Sequence, residues 1–201
     1  MDSVRSDRNG ASSRIPVALK ILIAGGFGAG KTTMVGSVSE IRPLQTEEIL
    51  TGVEGADDIG GVESKTTTTV TMDFGRITIP EDLQLYLFGT PGQDRFWFMW
   101  DELAEGALGA VVLADTRRLD SCFAAVDFFE RRNLPFVVGV NCFDGAYRYG
   151  TEEVRQALDV GMDVPLLLCD ARERESTKQV LTSLMEHVMA RSDLAAAQGG
   201  Y

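Results

Sequence analysis

Residues 25–32 read Gly25-Gly26-Phe27-Gly28-Ala29-Gly30-Lys31-Thr32, a match to G-x-x-x-x-G-K-[ST]. The run before it, Val17 to Ala24, is strand-like, and Thr33 to Ile41 is compatible with a helix. A glycine-rich turn between strand and helix points backbone N–H groups at an anion, and the helix start adds the positive end of its dipole. Gly25, Phe27, Gly28, Ala29 and Gly30 form this cradle, with Thr33 just behind it. Lys31 can reach β- and γ-phosphates, and the Thr32 hydroxyl can bind Mg²⁺. A plain glycine-rich turn explains the stretch less well, because length, spacing and flanks all agree with a P-loop.

Composition narrows the class. A chain of 201 residues, 44% hydrophobic and 24% charged, suits one globular domain with short extensions. The net charge of −11 disfavours tracking a nucleic-acid backbone or docking on anionic lipid. Cys122, Cys142 and Cys169 lie far apart and read as reduced thiols, and His187 is the only histidine. A His-based triad or zinc site therefore has no raw material. The sequence has no run of 18 apolar residues, no apolar signal segment and no C-terminal prenylation cysteine, and Met1 is followed by Asp2 rather than the glycine that myristoylation needs. The expectation is a cytoplasmic protein without a direct membrane anchor, reaching a membrane only through a partner.

Strand patterns fall at 17–24, 69–79, 83–88, 108–114, 135–141 and 165–169, and helix patterns at 31–40, 94–105, 119–132, 151–158 and 173–191. Pro80-Glu81-Asp82 is too short for a crossover, so the strands flanking it form a hairpin. The others alternate with helices and are expected to be parallel. This predicts an α/β fold: a six-stranded, mostly parallel sheet with one antiparallel strand and helices on both faces. The domain is expected over 15–191, with a flexible leader at 1–14 and a flexible tail at 192–201. Residues 42–68, with Gly52, Gly55, Gly60, Gly61 and Asp57-Asp58, make a long connection. We read it as a nucleotide-sensitive switch rather than a solvated acidic loop.

Four further segments carry chemistry. Asn141-Cys142-Phe143-Asp144 ends a strand. A carboxylate at Asp144 can accept both N1–H and N2–H of guanine, a donor pair adenine lacks, and Asn141 can tie this loop to the P-loop. An Asn/Asp turn is the plainer reading of the segment alone. Cys169-Asp170-Ala171-Arg172 follows the last strand, where an aspartate also serves as a helix N-cap. Gly89-Thr90-Pro91-Gly92-Gln93 lies between a strand and a helix, where a Pro-Gly turn is the plainer alternative. Lys65 to Phe74 holds four threonines in a row, which also suit a simple strand.

In order, these five motifs resemble the Ras-like small GTPases over residues 17–191, and most of all the bacterial MglA-type and conservon-encoded GTPases. Their N-K-x-D, S-A-K, G-Q and switch-threonine segments align with Asn141 to Asp144, Asp170 to Arg172, Gly92-Gln93, and Thr69 with Asp73-Phe74. The resemblance implies a Ras-like G domain, GTP/GDP as ligand, Mg²⁺ and a switch acting through effectors. It also implies a regulator of the roadblock/LC7 type. Thr69 would ligate Mg²⁺ beside Thr32. The Gly92 N–H would meet the γ-phosphate, Gln93 would orient the attacking water, and the Ala171 N–H, next to Arg172, would donate to guanine O6.

The chain departs from the family at four places. Gly89 replaces the acid that helps hold Mg²⁺, leaving Asp73 and Asp115 as candidate substitutes. Cys142 replaces the lysine whose stem covers the base, leaving Phe143 or Phe27 to compensate. Phe27 puts a ring near the γ-phosphate, and Thr68 stands where MglA-type proteins carry arginine. Together these predict a GTPase that is slow without a partner, at or below the roughly 10⁻⁴ s⁻¹ of unassisted Ras. The alternatives are a GTP-binding scaffold without hydrolysis and a P-loop ATPase or small-molecule kinase. Phe96-Trp97-Phe98-Met99-Trp100 cannot all face one core from one helix, so some are expected to be exposed, or buried in one nucleotide state alone. We expect Phe96, Trp97 and Trp100 to contact a partner, the plainer alternative being cover by neighbouring loops.

Overall fold

Val17–Gly25 (β1) runs VALKILIAG, and its second half is buried on both sides. Ile21 and Ile23 point to one face of a sheet, Leu22 and Ala24 to the other. A strand covered on both faces reads as a near-continuous apolar run, which is why β1 is so legible. The computed structural model describes residues 16–42, 44–50, 68–79, 82–92, 96 and 98–198, with the backbone alone at 45–50, 68–71 and 198. The leader at 1–14, most of the 42–68 connection, Gln93 and Trp97 lie outside the described residues.

After β1 come α1 (Lys31–Val38), β2 (Leu44–Leu50), β3 (Thr68–Ile79) and β4 (Leu83–Gly89). Then follow α2 (Phe98–Ala104), β5 (Ala107–Ala114), a 3₁₀ turn (Leu119–Cys122) and α3 (Phe123–Arg131). The chain continues through β6 (Phe136–Asn141), α4 (Thr151–Leu158), β7 (Leu166–Cys169) and α5 (Arg174–Gln198). The sheet order is β2-β3-β4-β1-β5-β6-β7. β3 alone runs against its neighbours, pairing antiparallel with β2 and β4, while the other pairs are parallel. The six expected strands are all present, and the single antiparallel strand is the first arm of the expected hairpin.

Two expectations need correction. A seventh strand, β2, lies within the segment read as an unbroken connection, with Leu44 opposite Phe74 and Leu50 opposite Thr68. Its sequence, LQTEEIL, has no clean alternation, as suits an edge strand that needs β3 as a template. The tail at 192–201 is helical through Gln198, because α5 runs on across Leu194-Ala195-Ala196-Ala197. Alanine is the strongest helix former, so nothing local stops the helix there.

The helices bury both faces of the sheet. α1 and α5 cover one through Met34, Val35, Val38, Val180, Leu181 and Leu184. α2, α3 and α4 cover the other through Trp100, Val126, Phe129, Val154 and Leu158. The parallel strands β1, β5, β6 and β7 therefore end together at one rim, where open α/β sheets bind ligands.

Candidate nucleotide-binding site

The P-loop leaves β1 at Gly25 and enters α1 at Lys31. Gly30 caps the helix in the left-handed region, at φ 106°. A side chain there is excluded twice, since a Cβ would also stand 2.5 Å from Asn141 Nδ2. Lys31 is buried and folds back over the loop, donating to the carbonyl oxygens of Gly25 and Gly26 at 2.8 Å each. Burial pulls its ammonium pKa down to about 8, while the negative charge of Asp73 pulls the other way. Gly92 sits against the same loop, where a Cβ would lie 2.5 Å from Lys31 Nζ and 3.0 Å from the Phe27 nitrogen. This places the glycine after β4 beside the phosphate cradle, with no room for a side chain.

Asp73 is 8% exposed and accepts a 2.6 Å hydrogen bond from the Thr32 hydroxyl. It faces Gly89 across the β3–β4 ladder, where a Cβ on Gly89 would stand 3.1 Å from both its Cβ and its Oδ2. The missing acid of β4 thus has a carboxylate beside it, moved one strand over and admitted by the glycine. Asp115 does not share this position. It is 1% exposed and takes the Arg117 backbone N–H at 3.0 Å, with Nε at 2.9 Å and Nη2 at 2.7 Å. These bonds and Arg117's charge hold its carboxyl below the usual range against the cost of burial, and it is withdrawn as a candidate Mg²⁺ acid. Thr32 and Asp73 offer the hard oxygens Mg²⁺ prefers. Among the described residues no group of three His, Cys, Asp or Glu could hold a metal. Thr69 lies in β3, but its side chain is not described.

Asn141 joins three loops. Its Nδ2 donates to the Ala29 carbonyl at 2.9 Å, and its Oδ1 accepts the Ala171 N–H at 3.1 Å. The amide assigned to guanine O6 is therefore engaged by Asn141. Beside it lies a cleft of about 290 Å³ lined by Gly30, Thr33, Arg117, Phe143, Asp144 and Arg172, among others. Arg172 donates to both Asp144 oxygens, at 2.5 and 3.0 Å, and to both Asp170 oxygens, at 2.7 and 2.9 Å. It keeps both carboxyls below their usual range, Asp170 at about 2. A base reaching Asp144 must share or displace this guanidinium, which can retain Asp170 as its partner.

Phe27 is 67% exposed in the ligand-free structure, and its carbonyl accepts Arg118 Nη2 at 2.7 Å. Two sequence readings change here. Trp100 is 3% exposed, edge-on to Phe128 at 5.3 Å and stacked on Phe129 at 6.0 Å. Phe96 is likewise buried, packed with Met99 against Met72. Both are core residues in this structure, and among the described residues of the run Phe98 is the exposed one, at 53%. The sequence reading missed Arg117 and Arg118, which belong to no motif and are brought to the site by the parallel β1–β5 pairing.

The chain was compared with known proteins. It is 29% identical to an uncharacterized protein of Methanocaldococcus jannaschii over 63% of this chain and 71% of the other. It is 25% identical to the Ras-related protein SEC4 of Candida albicans over 87% of this chain and 80% of that protein. The G domain of the T. maritima FeoB iron transporter superposes with a TM-score of 0.56 at 16% identity, covering 88% of this chain and 99% of that one. The Trypanosoma brucei Arl6 BBS3 small GTPase, solved with the nucleotide analogue GppNp, gives 0.60 at 16% identity over 87% and 99%. These neighbours show a P-loop α/β fold of the G-domain kind. Residues 23–191, which hold both the P-loop and the cleft beside Asp144, match a family described as conserved hypothetical ATP binding protein, and the chain belongs to that family.

Proposed function

We propose that this protein is a guanine-nucleotide switch that binds GTP with Mg²⁺, hydrolyses it slowly to GDP and signals through protein partners. The observation that carries this reading is Asn141. It bonds the P-loop and the β7–α5 loop at once, with Asp144 three residues along. A phosphate cradle and a carboxylate suited to guanine are thereby held as one unit. A Ras-related relative and G-domain neighbours, among them a small GTPase solved with GppNp, support the same reading.

Within it, Lys31, Gly92 and the P-loop amides hold the phosphates. Thr32, Thr69 and Asp73 would hold Mg²⁺, which would supply charge neutralisation for the phosphates. Gln93 orients the attacking water. Slow unassisted hydrolysis rests on the departures at Phe27, Gly89 and Thr68; the arginine that reaches the P-loop, Arg118, is bonded to the Phe27 carbonyl. A partner of the roadblock/LC7 type, as for MglA-type and conservon-encoded GTPases, would complete the site in the cytoplasm. Exposed Phe98, at the start of α2, is the anchor we assign to it. Among the described residues no helix is long and apolar enough to cross a membrane.

ATP is the second reading, because the family description names it. Competition of Mg-GTP against Mg-ATP, on wild type and Asp144→Asn, decides between them. We expect GTP to win by at least a hundredfold and the variant to lose that preference. Equal competition would sink the guanine reading. Single-turnover hydrolysis faster than about 10⁻² s⁻¹ without a partner, the scale of an enzyme with its arginine in cis, would sink the slow-enzyme reading.

A further inference from the structure

The base cleft lacks the lysine stem that would cover a nucleobase, because Cys142 stands in its place. The structure holds an arginine there from a different loop. Arg117 follows β5, lines the cleft and lays its guanidinium 3.6 Å from the centroid of the Phe143 ring. Its edge is clamped by the buried Asp115 carboxylate through Nε and Nη2. A planar guanidinium has two faces and one hydrogen-bonding edge. Here Phe143 covers one face and Asp115 takes the edge, while half of the side chain stays open to solvent.

We propose that Arg117 is the base-stacking residue of this site, offering its free face to the nucleobase as the outer layer of a Phe143–Arg117–base stack. Arginine suits this place because its charge is delocalised over a plane, weakly hydrated and able to stack on aromatic surfaces, which an ammonium cannot do. The clamp by Asp115 restricts the guanidinium before any ligand arrives, so little rotamer freedom is lost on binding. The role is sequence-tolerant, since every base has a π face. Arg117 therefore supplies affinity for a base, whereas Asp144 selects among bases.

The proposal rests on the site being a nucleotide site, and the test separates the two. Binding of GDP, ADP and inorganic pyrophosphate is measured by calorimetry on the full chain. The proteins are wild type, Arg117→Ala and the double variant Asp115→Asn with Arg117→Ala. The double variant guards against misfolding, since Arg117→Ala alone strands the buried Asp115 carboxylate. We expect each variant to lose about tenfold in GDP affinity with pyrophosphate affinity unchanged. Phe143→Leu, which removes the backing of the stack, should show the same split at about threefold. Loss of GDP and pyrophosphate affinity in parallel, or no loss of either, overturns the stack. Wild type that prefers ADP defeats the guanine reading alone, and Arg117 is then judged by ADP against pyrophosphate. Wild type that binds neither nucleotide overturns both.

Discussion

Asp73 and Gly89 show how a single carboxylate can change strands without leaving a site. The Thr32 hydroxyl bonds Asp73, and Gly89 leaves space for it. Gly89→Asp alone should therefore be harmful, since its Cβ meets Asp73 at 3.1 Å and the two acids repel. The double variant Asp73→Gly with Gly89→Asp should recover Mg²⁺-dependent nucleotide retention that Asp73→Asn loses by roughly tenfold. Nucleotide dissociation rates with and without chelator check both. Lys31 sets the pH response. Its pKa is lowered to about 8 in the ligand-free chain, and a phosphate anion favours the charged form. The complex then holds more protons than the free protein above pH 8, so binding takes up a proton and affinity falls as pH rises. The expected slope approaches tenfold per pH unit between about pH 8 and the raised pKa of the complex. Calorimetry in buffers of different ionisation enthalpy reads the proton uptake, and a flat profile from pH 7 to 10 would contradict it.

Among the elements, the ends of β1, β6 and β7 become one site through Asn141. Asn141→Ala leaves the Ala29 carbonyl and the Ala171 N–H without their partner in a buried place. The expected cost is about 2 kcal/mol, or roughly 6 °C in melting temperature for a domain of this size. Nucleotide affinity should fall by more than stability alone explains, because the loops that hold phosphate and base come apart. Thermal melts with and without saturating GDP separate the two effects. The elements also explain what was legible. β1, β5 and β6 announce themselves because both faces are covered, whereas β2 is an edge strand whose Glu47 and Glu48 break the alternation. The motifs at 25–32 and 141–144 were readable because backbone geometry ties residue type to spacing there. Arg117 was not, since its role depends on β5 lying beside β1 and on Phe143 arriving from the β6–α4 loop.

For the whole molecule, the aromatic run at 96–100 divides between core and surface. Trp100 lies among Phe128, Phe129 and Phe136 in the layer under α3. Trp100→Ala should cost about 3–5 kcal/mol in urea unfolding through the cavity it leaves. Phe98→Ala, on the exposed side of the same helix, should leave stability within about 0.5 kcal/mol while weakening any partner that docks on this side of α2. Equal destabilisation by the two variants would show that this division is wrong.

The sequence by itself determined the P-loop motif and the alternation of strands and helices, because each is a local match of residue type to backbone form. It also determined that an acid was missing at Gly89. Only the tertiary structure decided that Asp73 lies against Gly89 and bonds Thr32, that Asp115 belongs to Arg117, and that Trp100 is core. These depend on which strands lie side by side and which face of α2 turns inward, and such contacts between residues distant along the chain leave no periodic trace in it.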